Sequence, residues 1–168
     1  MPQGPGFTDE ELRDQVITLL IAGAETPAAT VAWLFHLVAR HPHVEARLHA
    51  ELEDVLAGAT ATAADLPSLP YTRNVLLEVL RLYPPAPLLT RVSTAEMALD
   101  GHRFPAGTDF FFSAYQLHHG PSFPNPERFD PDRWNTPPGP ATRHAYIPFS
   151  SGRRKCLGDT FALAEGTS

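Results

Sequence analysis

Polar positions frame the first forty residues and are sparse in their middle. Thr8-Asp9-Glu10-Glu11 reads as a capping box, in which Thr8 can bond the third amide while Glu11 reaches back. The helix it opens meets no convincing stop until His41-Pro42, about thirty residues or roughly 45 Å later. Beyond its first turns it is apolar on most faces, through Leu19, Leu20, Trp33, Leu34, Phe35 and Val38. A helix apolar all round runs through a core, and this one is longer than a domain of 168 residues comfortably covers. Its most apolar run, Val16–Ala24, ends at Glu25 after about nine residues, well short of the ~20 that span a membrane.

The pattern then shortens. A second helix, Pro42–Ala57, sets Leu48, Leu52, Val55 and Leu56 on one side and stops at Gly58. A loop through Pro67 and Pro70 leads to a third, Tyr71–Tyr83, stopped by Pro84-Pro85. Leu88–Val92, Ala98–Asp100 and Thr108–Ala114 read as short strands of a small sheet, with Asp100-Gly101 and Pro105-Ala106-Gly107 as turns. Seven of the 18 prolines fall within Pro121–Pro140, which reads as a non-repetitive meander. A loop, Ile147–Gly158, and a last helix beginning near Leu157 complete a chain that is mainly α with a small β part.

Composition narrows the chemistry. A net charge of −6 makes nucleic acid an unnatural partner, and a single cysteine excludes an internal disulfide framework or a multi-cysteine zinc site. One unpaired thiol suits a reducing cytoplasm, and the polar stretch Met1–Arg13 does not read as a secretory signal. The eight histidines show no H-E-x-x-H spacing.

The densest signal surrounds that cysteine: Phe149-Ser150-Ser151-Gly152-Arg153-Arg154-Lys155-Cys156-Leu157-Gly158. Three cationic side chains and the start of a following helix favour a thiolate. Gly152 allows a tight hairpin, and Gly158 permits close approach of another group to the backbone. The alternative is a buried, inert cysteine beside a basic loop.

This decapeptide resembles the F-x-x-G-x-R-x-C-x-G signature of the cytochrome P450 family at every fixed position. The resemblance implies that Cys156 ligates a haem iron, that Phe149 shields the sulfur and that Arg154 meets a haem propionate. Ala22-Gly23-Ala24-Glu25-Thr26 resembles the family's oxygen-binding groove: Gly23 would leave room beside the iron, Thr26 would hydrogen-bond bound oxygen, and Glu25 would relay protons. Pro27 removes the amide that would bond the Gly23 carbonyl. Glu78-Val79-Leu80-Arg81 matches the family's structural Glu–Arg pair, usually completed by an arginine of the meander. Pro126-Glu127-Arg128-Phe129, followed by Asp130-Pro131-Asp132-Arg133-Trp134, is read as supplying it through Arg128. By itself the Glu78/Arg81 spacing usually marks a solvated surface pair. Arg91 matches a propionate-binding arginine, or is a strand-edge surface residue. Leu88 and Leu89 match a segment facing substrate, and His118 and His119 are read as loop residues.

The resemblance runs from Thr8 to Glu165 and covers the C-terminal half of the family's fold: long central helix, two following helices, short strands, meander, ligand loop and start of the last helix. It implies a partial domain, 1–168, without the family's N-terminal helices and closing β segment; Gly166-Thr167-Ser168 departs from the expected continuation. The implied activity is that of a haem-thiolate monooxygenase holding haem b. It would insert one atom of dioxygen into an apolar organic substrate, in the style of soluble bacterial members that include terpenoid oxidases. A ferredoxin or flavodoxin-like donor would dock near Arg153 and Lys155. Two alternatives stand beside it: a peroxide-driven relative, although those generally lack the acid–alcohol pair, and an inactive truncated remnant or haem-binding fragment.

Overall fold

The computed structural model describes residues 6–168, so the first five residues of the polar Met1–Arg13 stretch lie outside it. The capping box forms as its sequence requires: Thr8 Oγ1 accepts the Glu11 amide at 3.2 Å, and the Glu11 carboxylate accepts the Thr8 amide at 2.8 Å. Those bonds hold the Glu11 carboxyl below its usual range. They open α1 (Asp9–Arg40), which runs unbroken through Pro27 to His41. Pro42 then occupies the first turn of α2 (Pro42–Leu56), where its missing amide costs nothing. The two begin and end within a residue or two of the expected limits. By length and composition α1 meets the requirements for crossing a membrane, with mean hydropathy 1.4 over eighteen residues. The nine-residue count from the sequence alone understated this, and a helix built for a protein core has the same composition.

The third helix, α3 (Pro70–Leu82), is the centre of the fold. Ten of its residues are buried, including Val75, Val79, Glu78 and Arg81. Val75, Val79, Leu82 and Tyr71 share one cluster with Leu37 of α1, Val44 of α2 and Phe129 of the meander. The start of α3 lacks a capping side chain of its own, and α2 supplies one. Glu51 accepts the amides of Tyr71 and Thr72 at 2.7 and 2.8 Å, satisfying donors that the first helical turn leaves open. Trp33 of α1 stacks on Tyr83 at 3.9 Å between ring centroids.

Two separate two-stranded sheets replace the single small sheet expected. β1 (Leu88–Val92) pairs antiparallel with β4 (Asp109–Ser113), Arg91 standing opposite Phe110. β2 (Met97–Leu99) pairs with β3 (His102–Phe104) through Asp100 and Gly101, whose φ values of 49° and 78° make the two-residue turn this dipeptide favours. The sequence reading marked that turn but not β3. Two short helices were also unanticipated, α4 (Ala114–His118) and α5 (Pro140–Ala145). The last helix, α6 (Asp159–Glu165), starts two residues later than expected.

Candidate functional site

Behind the cysteine loop lies a buried ion pair. The Glu78 and Arg81 side chains are both fully buried, one helical turn apart, with Arg81 Nη2 to Glu78 Oε1 at 2.8 Å and Nε to Oε2 at 3.0 Å. The surface-pair reading is therefore excluded. Three further donors converge on the same carboxylate: the Asp130 amide at 3.1 Å, Trp134 Nε1 at 3.0 Å and Arg133 Nε at 3.4 Å. A buried charge supplied with this many partners is satisfied in place.

The third arginine of this group is Arg133, not Arg128. Arg128 contributes only its carbonyl, which accepts Arg81 Nη2 at 3.1 Å, while its side chain is exposed. The reason is local. Asn125 adopts a left-handed φ of 49°, and the Arg128 amide closes that turn on the Asn125 carbonyl, leaving the next arginine to face α3. Arg133 is fixed there by the Pro124 carbonyl at 2.8 Å.

Chain leaving α5 passes Tyr146, whose hydroxyl donates to the Leu77 carbonyl at 3.0 Å; burial raises its phenol well above the ordinary value. From Ile147 the loop folds back on itself. The Ser150 amide donates to the Ile147 carbonyl at 3.0 Å, and the Cys156 amide donates to the Phe149 carbonyl at 2.9 Å. Between them Ser150 and Gly152 both take left-handed φ, 61° and 69°. Gly152 does so freely; Ser150 does so at a cost, and its buried hydroxyl has no partner.

The loop leaves Cys156 exposed, so the buried, inert reading of the thiol does not hold. Gly158 lies close to it: a Cβ there would meet Cys156 Sγ at 3.9 Å. Of the three cations, Lys155 pairs with Asp159 in the first turn of α6, which holds that carboxyl below its usual range. Arg153 and Arg154 are exposed. Leu157, the next residue along the chain, and Phe161 of α6 are bare apolar side chains, 93% and 72% exposed.

These residues fit a haem. They offer one soft donor, an apolar flank for a flat ring, an arginine for a propionate and a glycine at the closest approach. Among the described residues, no group of three or more His, Cys, Asp or Glu could hold a metal by itself. A single thiolate suits an iron that brings its remaining ligands with it.

The other expected positions lie on separate elements. Gly23, Glu25 and Thr26 sit on α1, all exposed; a Cβ at Gly23 would meet nothing within 4 Å, and Thr26 Oγ1 donates back to the Ala22 carbonyl at 2.8 Å. Arg91 is an exposed residue of β1, its Nη1 on the neighbouring Thr90 carbonyl at 2.7 Å. Leu88 is more than half exposed. Sequence reasoning missed Arg133, Trp134 and His118. The one signal for Arg133 was the near-repeat of P-E-R-F as P-D-R-W five residues on. For His118 there was none.

Comparison with known proteins gives one answer. A family model described as Cytochrome P450 matches residues 1–167. The chain is 51% identical to cyclooctat-9-en-7-ol 5-monooxygenase of Streptomyces melanosporofaciens over 96% of its own length and 36% of that protein. It is 45% identical to pentalenene oxygenase of Streptomyces avermitilis over 98% of its own length and 37% of that protein. The chain thus spans little more than a third of the length of these relatives. In structure it resembles the crystal structure of the cytochrome P450DA haem domain, with a TM-score of 0.84 and 34% identity over 98% of this chain and 38% of that one.

Proposed function

Because the chain belongs to the cytochrome P450 family, we propose that it carries the ligand loop and central helix of a haem-thiolate monooxygenase, with Cys156 as the axial ligand. The observation that supports this best is the exposed Cys156 thiol, on a loop closed by its own amide and flanked by bare apolar side chains. Bound haem would supply the iron at which dioxygen is activated.

The chain's own residues prepare that chemistry. Arg153 and Arg154 place two exposed cations within three residues of Cys156. With haem bound, Phe149 would shield the sulfur and Arg154 would meet a propionate, with Arg91 a second candidate. On α1 the small residue Gly23 keeps space open. Thr26 Oγ1 holds a proton that it can turn from the Ala22 carbonyl toward a ligand, and the neighbouring Glu25 carboxylate is exposed to water as the proton relay. Leu88 and Leu89 offer apolar contact to substrate. The names of the Streptomyces relatives favour an uncharged, terpenoid-like substrate. Arg153 and the half-exposed Lys155 offer positive charge to an acidic one-electron donor.

The test is spectroscopic, in a chain of the relatives' length. Its reduced, carbon monoxide-bound form should show the red-shifted Soret band of a thiolate ligand, and Cys156→Ala should lose it. A Cys156→Ala variant that keeps the band refutes the assignment.

A further inference from the structure

His118 closes α4 with no exposed surface, and no role described so far uses it. Its ring touches two elements. Nδ1 lies 3.0 Å from the Arg81 carbonyl, and Nε2 accepts the Ile147 amide at 2.9 Å. Its own carbonyl accepts Arg81 Nη1 at 2.9 Å, so residue and arginine clasp each other twice. The partners assign the proton: a carbonyl can only accept and an amide can only donate, so the ring is neutral with its hydrogen on Nδ1. A second proton, on Nε2, would point at the amide hydrogen that Nε2 now receives.

We propose that His118 is a positioning residue for the cysteine loop: its neutral ring extends the fixed geometry of the Glu78–Arg81 pair to Ile147, where the loop begins, and protonation of the ring releases the loop from α3. This rests on reading Ile147–Gly158 as the ligand loop. From Ile147 the path to the sulfur is short, through the Ser150 amide on the Ile147 carbonyl and the Cys156 amide on the Phe149 carbonyl.

The groups facing the ring act together. Arg81 from α3 brings a positive charge that Glu78 balances, His119 adjoins just past the end of α4, and Tyr146 on the loop's approach lies 5.3 Å away ring to ring. Phe123 of the meander adds an uncharged wall. Burial is the largest influence and holds the imidazole down to about 4; the bond to the Arg81 carbonyl opposes it, and the charges of Arg81 and His119 reinforce it. The direction follows from a folded value below the unfolded one. The tether is at full strength above about pH 6.5, the ordinary histidine value, and weakens as pH falls toward 4.

Hydrogen exchange on the haem-free chain tests this, read by mass spectrometry, which tolerates association through α1. After correction for intrinsic rates, protection of the Ile147 amide should fall roughly fiftyfold from pH 7 to pH 4.5, with the Cys156 amide following. The Val79 amide of α3 should hold. His118→Gln offers an acceptor in place of Nε2 that does not titrate, and should keep Ile147 protected at both pH values; His118→Phe should leave it unprotected at both. Protection that ignores pH in the unmodified chain, that is lost in step with Val79, or that falls equally in His118→Gln overturns the proposal. If His118→Gln does not fold, the profile of the unmodified chain decides. A failed Cys156 assignment would appear in the haem spectrum and leave these exchange results intact.

Discussion

α1 and α3 invert the usual relation between hydrophobicity and burial. The longer helix is the more apolar in its middle, yet of its 32 residues only Thr30 and Leu37 are buried, and Leu20 and Phe35 are each 67% exposed. The shorter has 13 residues, carries Glu78 and Arg81 at its centre, and buries ten. Composition sets what a helix would gain by burial; neighbours decide whether it does. α3 is wrapped by α1, α2, α4 and the meander, and its charges are tolerated because five donor groups meet Glu78. α1 meets that core along its C-terminal part, through Leu34, Leu37 and Val38, with Trp33 stacked on Tyr83.

The sharpest way to test the contrast is to remove one carboxylate from each helix. Glu78→Ala strands Arg81 in the interior and should cost on the order of 3–5 kcal/mol, read by denaturant unfolding of the α3 core. Glu25→Ala on α1 should leave the same transition within about 0.5 kcal/mol. Equal effects would mean that the buried pair does not organise the core.

A matched apolar pair comes next. Leu76→Ala on α3 leaves a cavity where the side chain is 2% exposed and should cost roughly 2–4 kcal/mol. Leu20→Ala should change core stability by less than about 0.5 kcal/mol while reducing self-association, visible in sedimentation. The smallest difference concerns the caps. Glu51→Ala should cost about 1 kcal/mol, because it frees two amides at the start of α3. Thr8→Ala should fray only the first turn of α1, seen in amide exchange and not in the unfolding midpoint.

What could be read from the sequence was what is local. Helix limits followed from Thr8, Pro42 and Pro84, and the ligand loop stood out because its ten residues are contiguous. Choices made by tertiary contact were not legible. Arg128 and Arg133 sit in near-identical local sequence, P-E-R-F and P-D-R-W, and the fold of the meander, with its turn at Asn125 and the Pro124 carbonyl on Arg133, decides which one reaches Glu78. His118 meets Arg81 and Ile147 at separations of 37 and 29 residues, so no short-range pattern marks it. The pairing of β2 with β3 was half legible: Asp100-Gly101 showed the turn, but three-residue strands carry too little alternation to show themselves.

Pro27 gives α1 a further property. With no hydrogen on its nitrogen, it cannot serve the Gly23 carbonyl, while the neighbouring Ala22 carbonyl takes an extra donor from Thr26. One turn of an otherwise greasy rod therefore presents an acceptor lacking its normal helical donor. In water that need is met by hydration. A covering surface made only of hydrocarbon would strand it, at about 1–3 kcal/mol. Any surface that comes to lie along α1 must carry a hydrogen-bond donor, or trap a water molecule, at the level of Gly23, and this one carbonyl selects against partners that match the helix only in greasiness.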